Sequence, residues 1–273
     1  MGVGMERTAK RTQLARALVP LLVAGLAMAV GGRVAAQGSP EPPAMAKECG
    51  EARVSDRPLP NSAAALQQRK KIKILAIGAS SSAVLGTGRN GNPPLLERIL
   101  ERTIKGLDVE IINRGFSGEL AEAAAERLKI EVALNHPDIV LWQVGTNDAF
   151  AQVPVESFEL AVSNSVRWLK EHNIDVILVG LHYTRHLAKD AHYQAIRMSL
   201  RRIAGAENVL RIGRYEAMEV LARTTATNGR PELEAFGLTE AGYNCMAQYI
   251  ARTITVGLFA KPPRHAPIPD PAR

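Results

Sequence analysis

The chain contains 273 residues, of which 46% are hydrophobic, and has a formal net charge of +7. Five basic residues and one acidic residue lie within residues 1–36, so the remainder keeps 29 basic and 26 acidic residues, a net charge of +3. That excess is too small to favour nucleic-acid binding, which depends on clustered positive charge. The length is sufficient for one α/β domain with a complete hydrophobic core.

The N-terminus has the pattern of a secretory signal peptide. Basic residues precede an uncharged and mostly apolar stretch at residues 17–32, and small residues follow at 34–36. This pattern predicts a signal peptide over residues 1–36, cleavage after Ala36, and a periplasmic or secreted protein without a membrane span after cleavage. An uncleaved membrane anchor is the alternative, but these 16 uncharged residues fall short of the roughly 20 that span a bilayer.

Segments of biased composition flank the predicted domain. Residues 37–70 are rich in proline, alanine, serine and glutamate, and they are predicted to form a lead-in segment. The proline-rich residues 259–273 are predicted to be a disordered tail. The domain itself is expected to span residues 71–258.

Both cysteines, Cys49 and Cys245, lie in the part of the chain that is predicted to be exported. In an oxidising compartment such a pair is expected to form a disulfide, which would pin the N-terminal segment to the last predicted helix. Two buried free thiols are the alternative interpretation. No second ligand stands at a metal-like spacing from either cysteine, so no metal site is expected.

Short apolar runs alternate with helical patterns along the predicted domain, and the runs start about 30 to 37 residues apart, the length of a βαβ unit. The runs that predict strands are residues 72–77, 109–113, 139–144, 176–179 and 209–212. Alternating strands and helices indicate an α/β protein with a flavodoxin-like, doubly wound sheet of about five parallel strands and helices on both faces.

Polar loops follow the first three predicted strands. Ser80 comes directly after the first strand, in the run Gly78-Ala79-Ser80, where a nucleophilic hydroxyl would stand at the carboxyl edge of the sheet. Gly115 follows the second strand and Asn147 the third. The N–H groups of Ser80 and Gly115 and the side-chain amide of Asn147 are therefore candidate donors to an oxyanion.

These loops resemble the motifs of the SGNH, or GDSL, hydrolases. Gly78-Ala79-Ser80 resembles the first motif, with alanine where many members have aspartate. Residues 113–118 (Asn-Arg-Gly-Phe-Ser-Gly) resemble the second motif, and residues 145–148 (Gly-Thr-Asn-Asp) closely match the third. The resemblance covers about residues 70–257. It implies the SGNH fold and hydrolysis of acyl or acetyl esters without a cofactor, through a serine nucleophile and an oxyanion hole of glycine and asparagine.

The fourth motif of that family, an Asp-x-x-His pair near the C-terminus, is altered. Residues 238–243 resemble the segment after the family's histidine, which places Gly237 at the histidine position and Glu234 at the acid position. Glutamate can replace aspartate in a triad, but glycine has no titratable group and cannot accept the Ser80 proton. His182 follows the fourth predicted strand and is the candidate substitute base; a histidine in an ordinary loop hydrogen bond is the alternative.

Two functions follow from these observations. The first is an exported hydrolase that acts on an acyl ester of a small molecule, a glycan or a lipid. The second is a catalytically degenerate domain that binds an acyl group, a glycan or a partner protein. A nicotinamide-dependent oxidoreductase is disfavoured, because the G-x-G-x-x-G run at residues 86–91 does not form the turn directly after the first strand.

Overall fold

The computed structural model describes residues 40–49, 55, 57–78, 94–219 and 240–260. Within these ranges the chain forms a five-stranded parallel sheet with neighbours in the order β2-β1-β3-β4-β5. The strands are β1 (Lys71–Gly78), β2 (Asp108–Gly115), β3 (Ile139–Gln143), β4 (Asp175–Val179) and β5 (Leu210–Ile212). This is the flavodoxin-like strand order, so the predicted fold class is confirmed.

Helices connect the strands and cover both faces of the sheet. In the described part of the chain they are α1 (Pro60–Arg69), α2 (Leu95–Thr103), α3 (Ala121–Asn135), α4 (Thr146–Phe150), α5 (Val155–Glu171), α6 (Ala191–Ala206) and α7 (Glu240–Phe259). A short helical segment also follows β5 at residues 214–219. No helix in these ranges is both long and apolar enough to cross a membrane.

Alternate residues of the central strands face two separate hydrophobic cores, as the two-residue period of a strand requires. On one face, Ile77, Trp142 and Leu178 pack with α3, α5 and α6. On the other face, Ile74 and Leu141 pack with α1, α2 and α7. All five of these side chains are buried, which is why the strands read as nearly continuous apolar runs.

Strand β2 differs from the central strands because it lies at an edge of the sheet. Its last three residues, Asn113, Arg114 and Gly115, are exposed. The second polar loop therefore begins at the surface, beside the end of β1.

The described part of the N-terminal segment lies along α7. A disulfide joins Cys49 to Cys245, which is the pairing that the sequence predicts. The Ala46 N–H donates to Oε1 of Gln248 at 2.8 Å, and the Tyr249 hydroxyl donates to the Cys49 carbonyl. The segment predicted to be a lead-in is thus attached to the last helix, and it also contains α1.

The predicted signal peptide and most of the predicted tail lie outside the described residues. Phe259, the first residue of the predicted tail, ends α7. The proposed roles of residues 1–36 and 261–273 therefore stay predictions.

Candidate active site

The chain leaves β1 and β3, the two neighbouring central strands, in opposite directions across the sheet. β1 leads to β2 on one side and β3 leads to β4 on the other, and ligands of open α/β sheets bind at such a switch point. β1 ends at Gly78, where φ is +96° and an added Cβ would lie 2.0 Å from the carbonyl oxygen of Gln143 in β3. Glycine is required there, because the two backbones are in close contact at the edge where the site is predicted.

Three predicted members of the site lie outside the described residues. Ser80 falls within 79–93, and Glu234 and Gly237 fall within 220–239. The structure brings the strand that precedes Ser80 to the switch point, and the role of each of these three residues stays a prediction.

The predicted oxyanion donor Gly115 ends β2 and pairs with Gly78 in the parallel ladder. Its N–H donates a hydrogen bond to the side-chain Oδ1 of Asn113 at 3.0 Å. A donor that is already engaged has to give up this hydrogen bond before it can bind an oxyanion. The geometry therefore disfavours Gly115 as a preorganised donor.

Gly118, in the same motif, differs from Gly115 in its backbone conformation and in its hydrogen bonding. Its φ is +81°, and nothing lies within 4 Å of the position that a Cβ would take. The residue is exposed, and no hydrogen bond from its N–H is found among the described residues. Gly118 is therefore a candidate donor that the sequence analysis did not name, although the second glycine of residues 113–118 was the signal that could have found it.

Asn147 lies in the first turn of α4, directly after β3. Its Nδ2 donates a hydrogen bond to the carbonyl oxygen of Glu119 at 3.0 Å. A carboxamide nitrogen carries two hydrogens, so this contact orients the amide and leaves one N–H for another acceptor. Because Glu119 follows Gly118, the contact also joins the loop after β2 to the helix after β3.

Asp148 holds the same two elements together from the interior. Its Oδ1 accepts a hydrogen bond from the Ala121 N–H at 2.8 Å, and its Oδ2 accepts one from the Gly145 N–H at 3.2 Å. The side chain is buried, and burial raises the pKa of its carboxyl group. Asp148 thus fixes the first residues of α3 and α4 relative to one another, which is a structural role.

His182, the candidate substitute base, lies three residues after the end of β4. Its backbone N–H donates to Oγ1 of Thr146 at 3.3 Å, and its carbonyl accepts from the Tyr193 hydroxyl at 2.6 Å. The backbone of His182 is therefore fixed beside the start of α4. This places His182 at the same edge of the sheet as Asn147, as the sequence predicts.

The surroundings of the His182 ring do not suit a general base. Both ring nitrogens are buried, and neither has a hydrogen-bond partner within the described residues. Burial and the neighbouring Arg214 guanidinium lower the pKa of His182 to about 4. A catalytic histidine gains basicity from a neighbouring carboxylate, whereas this one lies beside a cation, so the neutral imidazole is a weak proton acceptor.

Comparison with known proteins identifies the family. The model of the Non-GDSL lipase-like family matches residues 48–259, which is most of the chain. The chain belongs to this family. The resemblance to SGNH or GDSL-type hydrolases is thereby confirmed. A search of the curated proteins finds no significant match.

Solved structures share the fold of this member of the Non-GDSL lipase-like family. The lipase/acylhydrolase from Enterococcus faecalis is 22% identical, with a TM-score of 0.52, and the match covers 71% of this chain and 99% of that one. A catalytic mutant of an acetylxylan esterase from Geobacillus stearothermophilus is 19% identical, with a TM-score of 0.56, and the match covers 67% of this chain and 94% of that one. At these identities the similarity establishes the fold alone.

A surface cavity of about 660 Å³ lies on the flank of this Non-GDSL lipase-like domain, between α3 and α5. Its wall includes Leu120, Phe158 and Trp168, and Asp148 also lines it. Neither Asn147 nor His182 is among its described lining residues, although Asp148, the neighbour of Asn147, is.

Proposed function

We propose that this member of the Non-GDSL lipase-like family is an exported hydrolase of carboxylic esters, with acyl or acetyl esters as substrates. The reaction takes place at the carboxyl edge of the sheet, beside the end of β1. The Ser80 hydroxyl forms a bond to the acyl carbon, and the alcohol departs with the hydroxyl proton. Water then releases the carboxylic acid and restores Ser80.

The observation that supports this proposal most strongly is the arrangement of neutral donors at the switch point. The Glu119 carbonyl holds the Asn147 amide, and the adjacent Gly118 is an exposed residue whose N–H makes no hydrogen bond among the described residues. We assign these two groups, together with the N–H of Ser80, to the oxyanion hole, with Gly118 in place of Gly115. Neutral donors that are already oriented stabilise developing negative charge without reorganisation.

The proton of Ser80 passes to water or to the substrate in this proposal, because Gly237 has replaced the family's histidine and His182 lies beside Arg214. Glu234 keeps the acid position without a histidine to orient. An acyl-transfer site that has donors but no base retains roughly 10³-fold catalysis over water. We therefore expect turnover that is slow for an esterase.

Export is supported by the N-terminal pattern and by the disulfide between Cys49 and Cys245. We propose cleavage after Ala36. The mature protein then keeps the domain at residues 71–258 and the N-terminal segment that is attached to α7. The proteins with this fold include a lipase/acylhydrolase and an acetylxylan esterase, so the candidate substrates are esters of lipids and of glycans, together with esters of small molecules.

A second candidate function is a binding domain that holds the same acyl or glycan group, or a partner protein, without turnover. Gly237 and the lowered pKa of His182 favour it, since each removes a proton acceptor from Ser80. The donors at Asn147 and Gly118 would then bind a carbonyl oxygen in the ground state.

The test is hydrolysis of p-nitrophenyl acetate by the purified mature protein. Ser80→Ala is compared with Ser82→Ala, a matched control in the same run of three serines. We expect wild type and Ser82→Ala to exceed the buffer rate and Ser80→Ala to fall to it. Equal rates in all three proteins at the buffer level would reject the hydrolase and leave the binding domain.

A further inference from the structure

The guanidinium of Arg127, in the second turn of α3, forms a bidentate ion pair with the carboxylate of Glu119. Its Nε donates to Oε1 of Glu119 at 2.8 Å, and its Nη2 donates to Oε2 at 2.9 Å. The Glu119 side chain is only 5% exposed, so water does not compete strongly for its carboxylate. Bidentate pairs of this kind fix geometry as well as charge. Glu119 also raises the pKa of Arg127, which stays charged.

The same guanidinium reaches the other end of the loop after β2. Nη2 of Arg127 donates to the carbonyl oxygen of Arg114 at 2.7 Å. Arg114 precedes the turn that contains Gly118, and Glu119 follows it. One side chain therefore holds both ends of the turn that carries the donor.

The backbone of Glu119 connects these hydrogen bonds of Arg127 to the second proposed donor, Asn147. While its carboxylate is held by Arg127, its carbonyl accepts the hydrogen bond from Nδ2 of Asn147. A shift of Glu119 would move the Gly118 peptide and release the Asn147 amide together. An oxyanion hole loses efficiency when its donors are displaced, because they stabilise charge only where it develops.

From these contacts we infer that Arg127 is a positioning residue for the oxyanion hole, acting through Glu119 on Gly118 and Asn147. The inference rests on the proposed function. It adds a residue on α3 that never touches the substrate, and it predicts that the loss of Arg127 affects turnover more than substrate binding.

The first test separates kcat from KM for p-nitrophenyl acetate. Arg127→Met is compared with Arg127→Lys and with Arg167→Met, a control on α5 whose guanidinium pairs with Glu207 at 2.7 Å. We expect Arg127→Met to lower kcat at least tenfold with KM within twofold, Arg127→Lys to recover part of the loss, and Arg167→Met to match wild type. A wild-type kcat in Arg127→Met would overturn the inference.

A second readout does not require activity. In nitrogen-15 correlation spectra of the folded proteins, we expect Arg127→Met to shift or broaden the Asn147 side-chain amide and the Gly118 N–H, while Arg167→Met leaves both in place. If Arg127→Met does not fold, Glu119→Gln, which keeps the backbone carbonyl, is read in the same way. Unchanged signals of the Asn147 amide and the Gly118 N–H would reject the positioning role of Arg127. If the wild type proves inactive, the hydrolase proposal fails, and these spectra still decide the role of Arg127.

Discussion

The two sides of the carboxyl edge are built differently. On the donor side, the loop after β2 and the start of α4 are joined by Arg127, Glu119, Asn147 and Asp148, each with a hydrogen-bond partner. On the other side, the ring nitrogens of His182 are buried without such a partner in the described part of the chain, and the ring lies beside Arg214. The proposed site therefore has donors held by hydrogen bonds and a histidine that is a poor proton acceptor.

This contrast has a simple electrostatic origin. Oriented amides stabilise an oxyanion without changing their own charge, so they need only fixed geometry. A base must take up a proton, and a neighbouring cation opposes that change. The proposed donors, Asn147 and Gly118, can therefore bind a carbonyl oxygen even though residue 237 is not a histidine. That ability would serve either slow catalysis or binding without turnover.

The largest expected effect is on the donor side. Asn147→Ala removes a proposed oxyanion donor, and the loss of one such donor lowers kcat by about 100-fold. Steady-state kinetics with p-nitrophenyl acetate measure the change. Asn135→Ala is the matched control, since its Nδ2 also donates to a backbone carbonyl, that of Glu131, at the opposite edge of the sheet. Equal activity in the two variants would contradict the proposed role of Asn147.

The next test introduces a histidine at position 237, where the family motif has one. Gly237→His returns a titratable side chain to the position that the family motif assigns to histidine. We expect kcat/KM to rise at least about tenfold, because a positioned base contributes that much or more. Gly237→Gln provides a side chain of similar size without a base. An unchanged rate in Gly237→His would show that this segment does not present the residue to Ser80.

A smaller effect distinguishes two glycines of the same conformation. Gly118 and Gly106 have φ values of +81° and +78°, and both have open space where a Cβ would be added. Alanine at either position costs on the order of 1 kcal/mol of stability through backbone strain. Only Gly118→Ala should also lower kcat, by about tenfold, because it disturbs a proposed donor. Equal kinetics in the two variants would return the donor role to Gly115.

The last effect concerns the stability of the protein, with no change in activity required, and it lies on the base side. Since the pKa of His182 is about 4 in the folded protein, the unfolded chain binds more protons between about pH 6.5 and pH 4. The free energy of unfolding therefore falls as the pH drops through that window. We expect His182→Gln to lose about 2 kcal/mol less stability than wild type between pH 7 and pH 5.

Urea unfolding at the two pH values measures this difference. The exposed His172, at the end of α5, supplies the control variant His172→Gln. Identical pH dependence in wild type and His182→Gln would mean that the imidazole of His182 is not held in its neutral form by burial and Arg214.

Local sequence was sufficient for the architecture. Short apolar runs separated by helical periods predicted all five strands, because a buried strand needs an apolar side chain on each face. The motifs at residues 78–80, 113–118 and 145–148 were sufficient for the family, and a chain with two cysteines has one possible internal pair. These features depend on residues that are close in sequence, or on simple counting.

Only the tertiary structure decided how the candidate site is organised. It shows that Asn113 occupies the N–H of Gly115, and that the carbonyl of Glu119 meets Asn147 from 28 residues away. It also places Arg214 beside His182. Hydrogen bonds and charge interactions between distant residues depend on how the loops fold over the sheet edge, and neither periodicity nor motif spacing contains that information.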